Sequence, residues 1–182
     1  YVVKERDRYE AVKRLIDFHP KIYGLIFCRT KHETGTVAEK LAREGYNAEP
    51  LHGDLTQPMR DRVMARFRSK ELQILVATDV AARGIDVDDI THVINYNLPD
   101  DNENYTHRSG RTARAGKKGQ SLVLITPKEG FKIKSIEKQM RTEFAQGQVP
   151  NAEEICEIQL MKLIQNTIDI NVKEKDIEKF MP

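Results

Sequence analysis

Cysteine is scarce in this chain of 182 residues: Cys28 and Cys156 are the only two. Two thiols cannot staple a secreted disulfide framework, so a reducing cytoplasm is the expected compartment. Long apolar runs are missing too. The best are Leu25-Ile26-Phe27-Cys28 and Ile74-Leu75-Val76-Ala77, far short of the roughly 20 residues that span a bilayer. No basic-then-apolar leader opens the chain at Tyr1-Val2-Val3-Lys4-Glu5-Arg6. An excess of either charge is also lacking. The net charge is +2, so a surface for a polyanion must be local.

Several catalytic signatures are absent. No Gly-x-x-x-x-Gly-Lys-Ser/Thr phosphate loop occurs, and no acidic pair follows an apolar strand in the form that holds magnesium. No Cys/His spacing suggests zinc, and there is no nucleophile elbow. His19, His32, His52, His92 and His107 are scattered. Nucleotide hydrolysis by this chain alone is thereby excluded, as are zinc and serine-hydrolase chemistry.

What is present is enough for a core: 39% hydrophobic and 32% charged residues, with a mean hydropathy of -0.60. That composition fits one domain, or one with an appendage. The chain starts without Met and stops at Phe180-Met181-Pro182, and it reads as a piece of something longer.

Periodicity alternates helix and strand. Helical spacing covers 6–18, 33–43, 58–68, 129–144 and 152–168, and part of 102–114. Short apolar runs at 22–28, 48–52, 73–77, 92–96 and 120–125 read as strands. Strands separated by helices imply βαβ units, a parallel sheet and helices on both faces. In such sheets ligands sit beyond the carboxyl ends of the strands. The segments to inspect are therefore Arg29-Thr30-Lys31, His52-Gly53-Asp54, Thr78-Asp79 and Asn97-Leu98-Pro99.

The densest cationic signal runs from His107 to Lys118 and holds no acid. Arg108, Arg111 and Arg114 are three apart, so on a helix they fan over one side. Gly110, Ala113 and Ala115 between them let a bulky anion approach the backbone, and guanidinium forks suit phosphate. The bland alternative is a solvated basic helix face. A second signal is the buried run into Thr78-Asp79, one helical turn, then Gly84 and Asp86. Thr78 faces a helix N-terminus, a natural anion site. Asp79 reads as a helix cap, and Gly84 can take the positive φ that ends the turn. Asp86 could accept hydrogen bonds from a sugar hydroxyl. A third signal places Gln57 and Arg60 at a loop–helix junction. Arginines without a phosphate cradle suggest a chain that completes a site whose other half lies elsewhere.

Together these residues resemble the second RecA-like domain of DEAD-box ATP-dependent RNA helicases, over residues 1 to about 145. Leu25 to Lys31 resembles motif IV, Gln57-Pro58-Met59-Arg60 the QxxR element, Val76 to Val87 motif V, and Tyr105 to Arg114 motif VI. His107 favours DEAD-box proteins over relatives with Gln there. The resemblance implies a RecA-like three-layer α/β fold with a mainly parallel central sheet at residues 1–147. A helical extension follows at 148–182. It implies that Arg111 and Arg114 are arginine fingers for ATP, with Gly84 and Asp86 also at the nucleotide. Thr30, Gln57, Arg60 and Thr78 would hold the RNA backbone, and Arg83, His107 and Arg108 would make interdomain contacts. ATP with Mg²⁺ would be held mainly by a first RecA-like domain of the same chain, and no metal by this segment. Ser109, Ala113, Asn97 and Leu55 depart from the family pattern, where Ile, Gly, Asp and a basic residue are common. An RNA-binding module without ATPase role and a helicase domain acting on DNA are the alternatives.

The helix at 152–168 is apolar around most of its circumference and must bury more than one face. Either it packs back on the domain, or it starts a homodimerisation element, as the resemblance to bacterial DEAD-box proteins suggests. In the second case Ile155, Ile158, Met161 and Leu163 would line the partner surface. Residues 171–179 read as its solvated continuation, with Ile177 and Phe180 reaching for a further contact.

Overall fold

The computed structural model describes residues 1–113, 116 and 118–169. Five parallel strands form one sheet in the order β2-β3-β1-β4-β5: β1 Gly24–Phe27, β2 Ala48–Leu51, β3 Ile74–Ala77, β4 His92–Asn95 and β5 Gln120–Val123. The three central strands are buried at every residue. That is why they read as unbroken apolar runs and not as alternation. Gly24 sits where β1 and β4 crowd, and a Cβ there would lie 3.0 Å from the His92 carbonyl oxygen. Outside β5, Val2 makes a parallel bridge to Ile125, so residues 1–3 extend the sheet by a short edge.

Two helical layers flank the sheet. On one face lie α1 (Arg8–Phe18) and α2 (Lys31–Arg43); Val12, Leu15, Val37 and Leu41 pack with Ile26, Val76 and Ile94. On the other lie α3 (Gln57–Arg68) and α4 (Asp79–Ala82), where Val63, Phe67 and Ala81 meet Leu25, Phe27, Leu75 and Val93. The same face carries α5 (Asn102–Ser109) and α6 (Gly130–Met140), joined over Leu98, Tyr105, Val123 and Ile136. Each fully buried Leu, Ile or Phe is worth about 1.5–3 kcal/mol of transfer free energy, so these clusters hold the layers to the sheet. The expected RecA-like three-layer α/β fold is the observed one, with a sheet that is wholly parallel among the described residues.

Two helices stop sooner than their periodicity suggests. The arginine-rich helix ends at Ser109, so Arg111 lies in the turn beyond it and does not share a helical face with Arg108. Buried Thr112 anchors that turn, its hydroxyl donating to the Ile90 carbonyl. Gly119 passes so close that a Cβ would collide with Thr112. Helix α6 ends at Met140 because Arg141 adopts left-handed backbone, φ 51°, a common helix stop.

The last helix, α7 (Ala152–Ile168), begins in a reciprocal cap between Asn151 and Glu154. It lies on α1. Gln159 donates to the Asp17 carbonyl and Lys162 to that of Pro20. Ile155 and Ile158 are half-buried, so they do not face outward as the dimer reading placed them. Met161 and Leu163 are 61% and 63% exposed. The expectations for 171–179, Ile177 and Phe180 lie outside the described residues.

Candidate nucleotide and RNA site

The central strands end at one rim, and a cavity of about 430 Å³ opens there. Phe27 closes β1, Asp79 follows β3, and Arg83, His107, Arg108 and Arg111 supply cations from α4, α5 and the turn after it. The cavity thus lies where the chain, having built β2 and β3 on one side of β1, crosses to build β4 on the other, the usual ligand position in an open α/β sheet.

Arg108 is the fixed point of the site. It is 2% exposed. Its Nε and Nη2 donate to both oxygens of Asp79 at 2.6 and 2.7 Å. Nη1 donates to Asn95 Oδ1 at 3.0 Å and to the Asn97 carbonyl at 2.7 Å. The guanidinium stands 5.0 Å from the centre of the Phe27 ring. A buried cation needs such saturation, because an unpaired one costs several kcal/mol. Its donors are spent inside the domain, tying α5 to the ends of β3 and β4. The cap reading of Asp79 is corrected. Thr78 is the N-cap of α4, its hydroxyl accepting the Ala81 N–H at 3.4 Å, while the Asp79 carboxylate serves Arg108.

The remaining cations sit differently. Arg83 and His107 are exposed at the cavity wall, and among the described residues neither side chain makes a hydrogen bond or ion pair. Arg111 is half-buried and donates to the Ile85 carbonyl at 2.7 Å. Ile85 lies between Gly84, at φ 80°, and Asp86. The fold thus brings Gly84, Asp86 and Arg111 to one place. Arg114 lies outside the described residues.

At the same end of the sheet, α3 and α4 begin on one face after β2 and β3, and α2 begins on the other after β1. Thr30 caps α2, accepting the Glu33 N–H at 3.1 Å. Gln57 opens α3 and donates to Asp61 at 2.8 Å. Arg60 reaches across to the Ala81 carbonyl of α4 at 3.3 Å. Thr30, Gln57, Arg60 and Thr78 therefore share one rim, where three sets of helix N–H groups point outward, a setting that favours anions.

Asn97 joins the two groups. Its Oδ1 and the Glu33 carboxylate both accept the Arg29 N–H, its Nδ2 donates to Glu33 at 3.2 Å, and its carbonyl accepts Arg108. Asn95 and Asn97 had gone unassigned as functional residues. Their signal is two polar side chains at a spacing of two, Asn95 ending the buried strand β4 and Asn97 just beyond it. Cys28, just below, is no nucleophile: burial, and after it the Glu33 carboxylate, hold its thiol far above the usual range. Among the described residues no cluster of three or more His, Cys, Asp or Glu could hold a metal ion. No helix among them is long and apolar enough to cross a membrane.

The family described as the helicase conserved C-terminal domain matches residues 7–116. The chain is similar to the DEAD-box ATP-dependent RNA helicase CshA of Bacillus cereus, 40% identical over 170 residues, which are 92% of this chain and 32% of that protein. It spans about a third of the length of that relative. Its fold matches the C-terminal domain of the DEAD-box protein Dbp5 with a TM-score of 0.76 at 31% identity, over 89% of this chain and 93% of that one. S. cerevisiae Dbp5 bound to RNA and ADP BeF3 matches with a TM-score of 0.74 at 31% identity, over 90% and 43% of the two chains.

Proposed function

The chain belongs to the helicase conserved C-terminal domain family, and from that premise we propose that it is the second RecA-like half of an ATP-dependent RNA helicase. It supplies arginine fingers to ATP bound on a first domain and grips the RNA backbone. The observation that carries this reading is the cavity. It gathers Arg83, His107 and Arg111 at the rim of a chain that has no phosphate loop of its own. Arginines gathered without a phosphate cradle of their own fit a phosphate presented from elsewhere.

In this mechanism the first domain would hold ATP with Mg²⁺, a cation that would offset phosphate charge. Arg111 leaves the Ile85 carbonyl to meet the γ-phosphate, and Arg114 acts beside it. Asp86 accepts from the ribose, and Gly84 allows the close approach. Arg108 holds the turn that presents Arg111. Arg83 and His107, exposed and unpaired, make the interdomain contacts that form on closure. Thr30, Gln57, Arg60 and Thr78 hold RNA phosphates. Because RNA and nucleotide both favour the closed pair of domains, each raises affinity for the other. Backbone contact of this kind carries little sequence preference. The cytoplasm is the compartment that fits a nucleic-acid motor with two reduced cysteines.

RNA-stimulated ATPase of the full-length protein, compared with DNA, tests the reading. Stimulation by RNA supports it. Stimulation by DNA alone turns it to a DNA helicase, and RNA binding with no turnover turns it to a binding module. The 182-residue chain by itself is expected to turn over no ATP, and substantial turnover by the pure chain would sink the division of labour. A homodimer through α7 is the remaining part of the proposal, supported by exposed Met161, Leu163 and Ile168. Sedimentation of the full-length protein checks it: a dimer lost in Met161→Asp/Leu163→Asp supports it, and a monomer at micromolar concentration ends it.

A further inference from the structure

Helix α6 carries an exposed face that the cavity and the helix-terminus rim do not use. Phe131, Lys134, Ser135 and Lys138 are all exposed and follow the i, i+3, i+4, i+7 spacing of a single helical stripe. Phe131 is 70% exposed. Lys128 stands exposed in the turn just ahead of it, and Lys132 is half-buried alongside. Among the described residues none of these four lysines makes an ion pair or hydrogen bond. The carboxylates on the same segment are occupied elsewhere. Glu137 accepts the Phe144 N–H at 2.9 Å, and Glu129 accepts from Thr126 and from Arg8. Asn102 of α5 donates to Ser135 and Gln139, so the stripe is held rigidly beside the start of α5. Asp101 and Glu103, the nearby acids of α5, line the cavity.

Four lysines left without partners on a chain of net charge +2 are a local cationic surface. One aromatic ring set among them is too little apolar area for the core of a protein interface. It does match a base-stacking platform flanked by phosphate contacts, the arrangement that binds single strands without reading sequence. We propose that the α6 stripe is a second RNA surface, on the β5 side of the sheet. It takes single-stranded RNA that flanks the segment held at the rim: Phe131 stacks on a base, and Lys128, Lys134 and Lys138 meet phosphates. The proposal rests on the RNA-helicase reading above and adds a contact outside the rim.

The test uses the 182-residue chain and single-stranded oligouridine, with affinity followed across a salt series and ultraviolet cross-links mapped by mass spectrometry. Lys134→Glu/Lys138→Glu is expected to weaken binding and to lower the slope of log affinity against log salt by about 1.4, or about 0.7 for each lost contact. Phe131→Ala is expected to weaken binding about fivefold or more with the slope unchanged, as loss of stacking predicts, and to abolish a cross-link at Phe131. All three side chains are exposed, so thermal unfolding serves as the control for folding. Arg60→Ala separates this proposal from the reading beneath it. If Arg60→Ala weakens binding while the α6 variants leave affinity and slope unchanged, the stripe is not an RNA surface and the rim reading stands. If the unaltered chain binds no RNA at low salt, both fail.

Discussion

Among the described residues two arginines are buried, on opposite faces of the same sheet, and each is 2% exposed. Arg8, from α1, donates to the carbonyls of Tyr96 and Leu124 at 2.6 and 3.0 Å and pairs with Glu5 and Glu129. Arg108, from α5, donates to Asn95 and to the Asn97 carbonyl and pairs with Asp79. Both clamp the carboxyl end of β4, and both sit near an aromatic ring, Tyr96 for one and Phe27 for the other. Their saturation is so similar that burial and pairing alone cannot tell structure from function. What differs is what each clamp holds. Arg8 closes the back of the sheet against the capped turn at Thr126–Glu129. Arg108 fixes the base of a cavity on whose wall the Arg83 and His107 side chains are exposed and, among the described residues, unpaired. A paired arginine organises; the arginine with donors to spare is available to a ligand.

The largest effect expected from that contrast falls on neither clamp. Arg111→Ala in the full-length protein should lower ATP turnover by about 10³–10⁵, the worth of an arginine finger, with nucleotide-free RNA binding nearly unchanged. A loss under about tenfold in a steady-state assay would show that Arg111 is not the finger. The two clamps come next and should separate cleanly. Arg108→Ala and Arg8→Ala should each lower unfolding free energy by about 1–3 kcal/mol, since each leaves buried carbonyl groups without a donor, as read from denaturant melts. Arg108→Ala should also depress turnover per folded molecule, because the turn bearing Arg111 loses its anchor. Arg8→Ala should leave it close to normal. Equal loss of turnover in both would erase the distinction drawn between them.

The amino ends of the strands offer a smaller contrast. His92 is buried beside His19, ring centres 4.4 Å apart, with its Nε2 unpartnered among the described residues. Burial, and after it the His19 charge, lower its pKa from 6.5 to about 4. A histidine whose folded pKa lies below its unfolded one destabilises as it takes up a proton. Stability is therefore complete above about 6.5 and falls as the pH drops toward 4. Allowing for partial solvent access, the loss is on the order of 2 kcal/mol. Thermal melts across that range should show it, and His92→Gln should flatten it. An unflattened profile would place the acid limb elsewhere. The smallest effect belongs to the rim: Arg60→Ala should reduce the salt slope of RNA binding by about 0.7, and an unchanged slope would make Arg60 a surface residue braced on Ala81.

Much of the fold was legible before any coordinates. The fully buried strands announced themselves as apolar runs without alternation, and periodicity delimited α7 to 152–168. The rim residues could be found because helix N-termini follow strand ends. Arg108, Arg111 and Arg114 stand at a helical spacing, yet α5 ends at Ser109. Local propensity does not contain the anchor that ends the helix, the bond from Thr112 to the Ile90 carbonyl 22 residues away.

Sequence alone determined the alternation of strand and helix, the burial of the sheet and the family of chemistry, because periodicity and cationic spacing are local and survive without neighbours. Tertiary structure alone decided which arginine would be locked and which left available. Arg108 and Arg83 are chemically identical in the sequence. Asp79, Asn95 and Asn97 converge on Arg108 because β3 and β4 flank β1 in the sheet. That convergence of residues 11 to 29 positions apart turns one guanidinium into a buried tie and leaves the other facing the cavity.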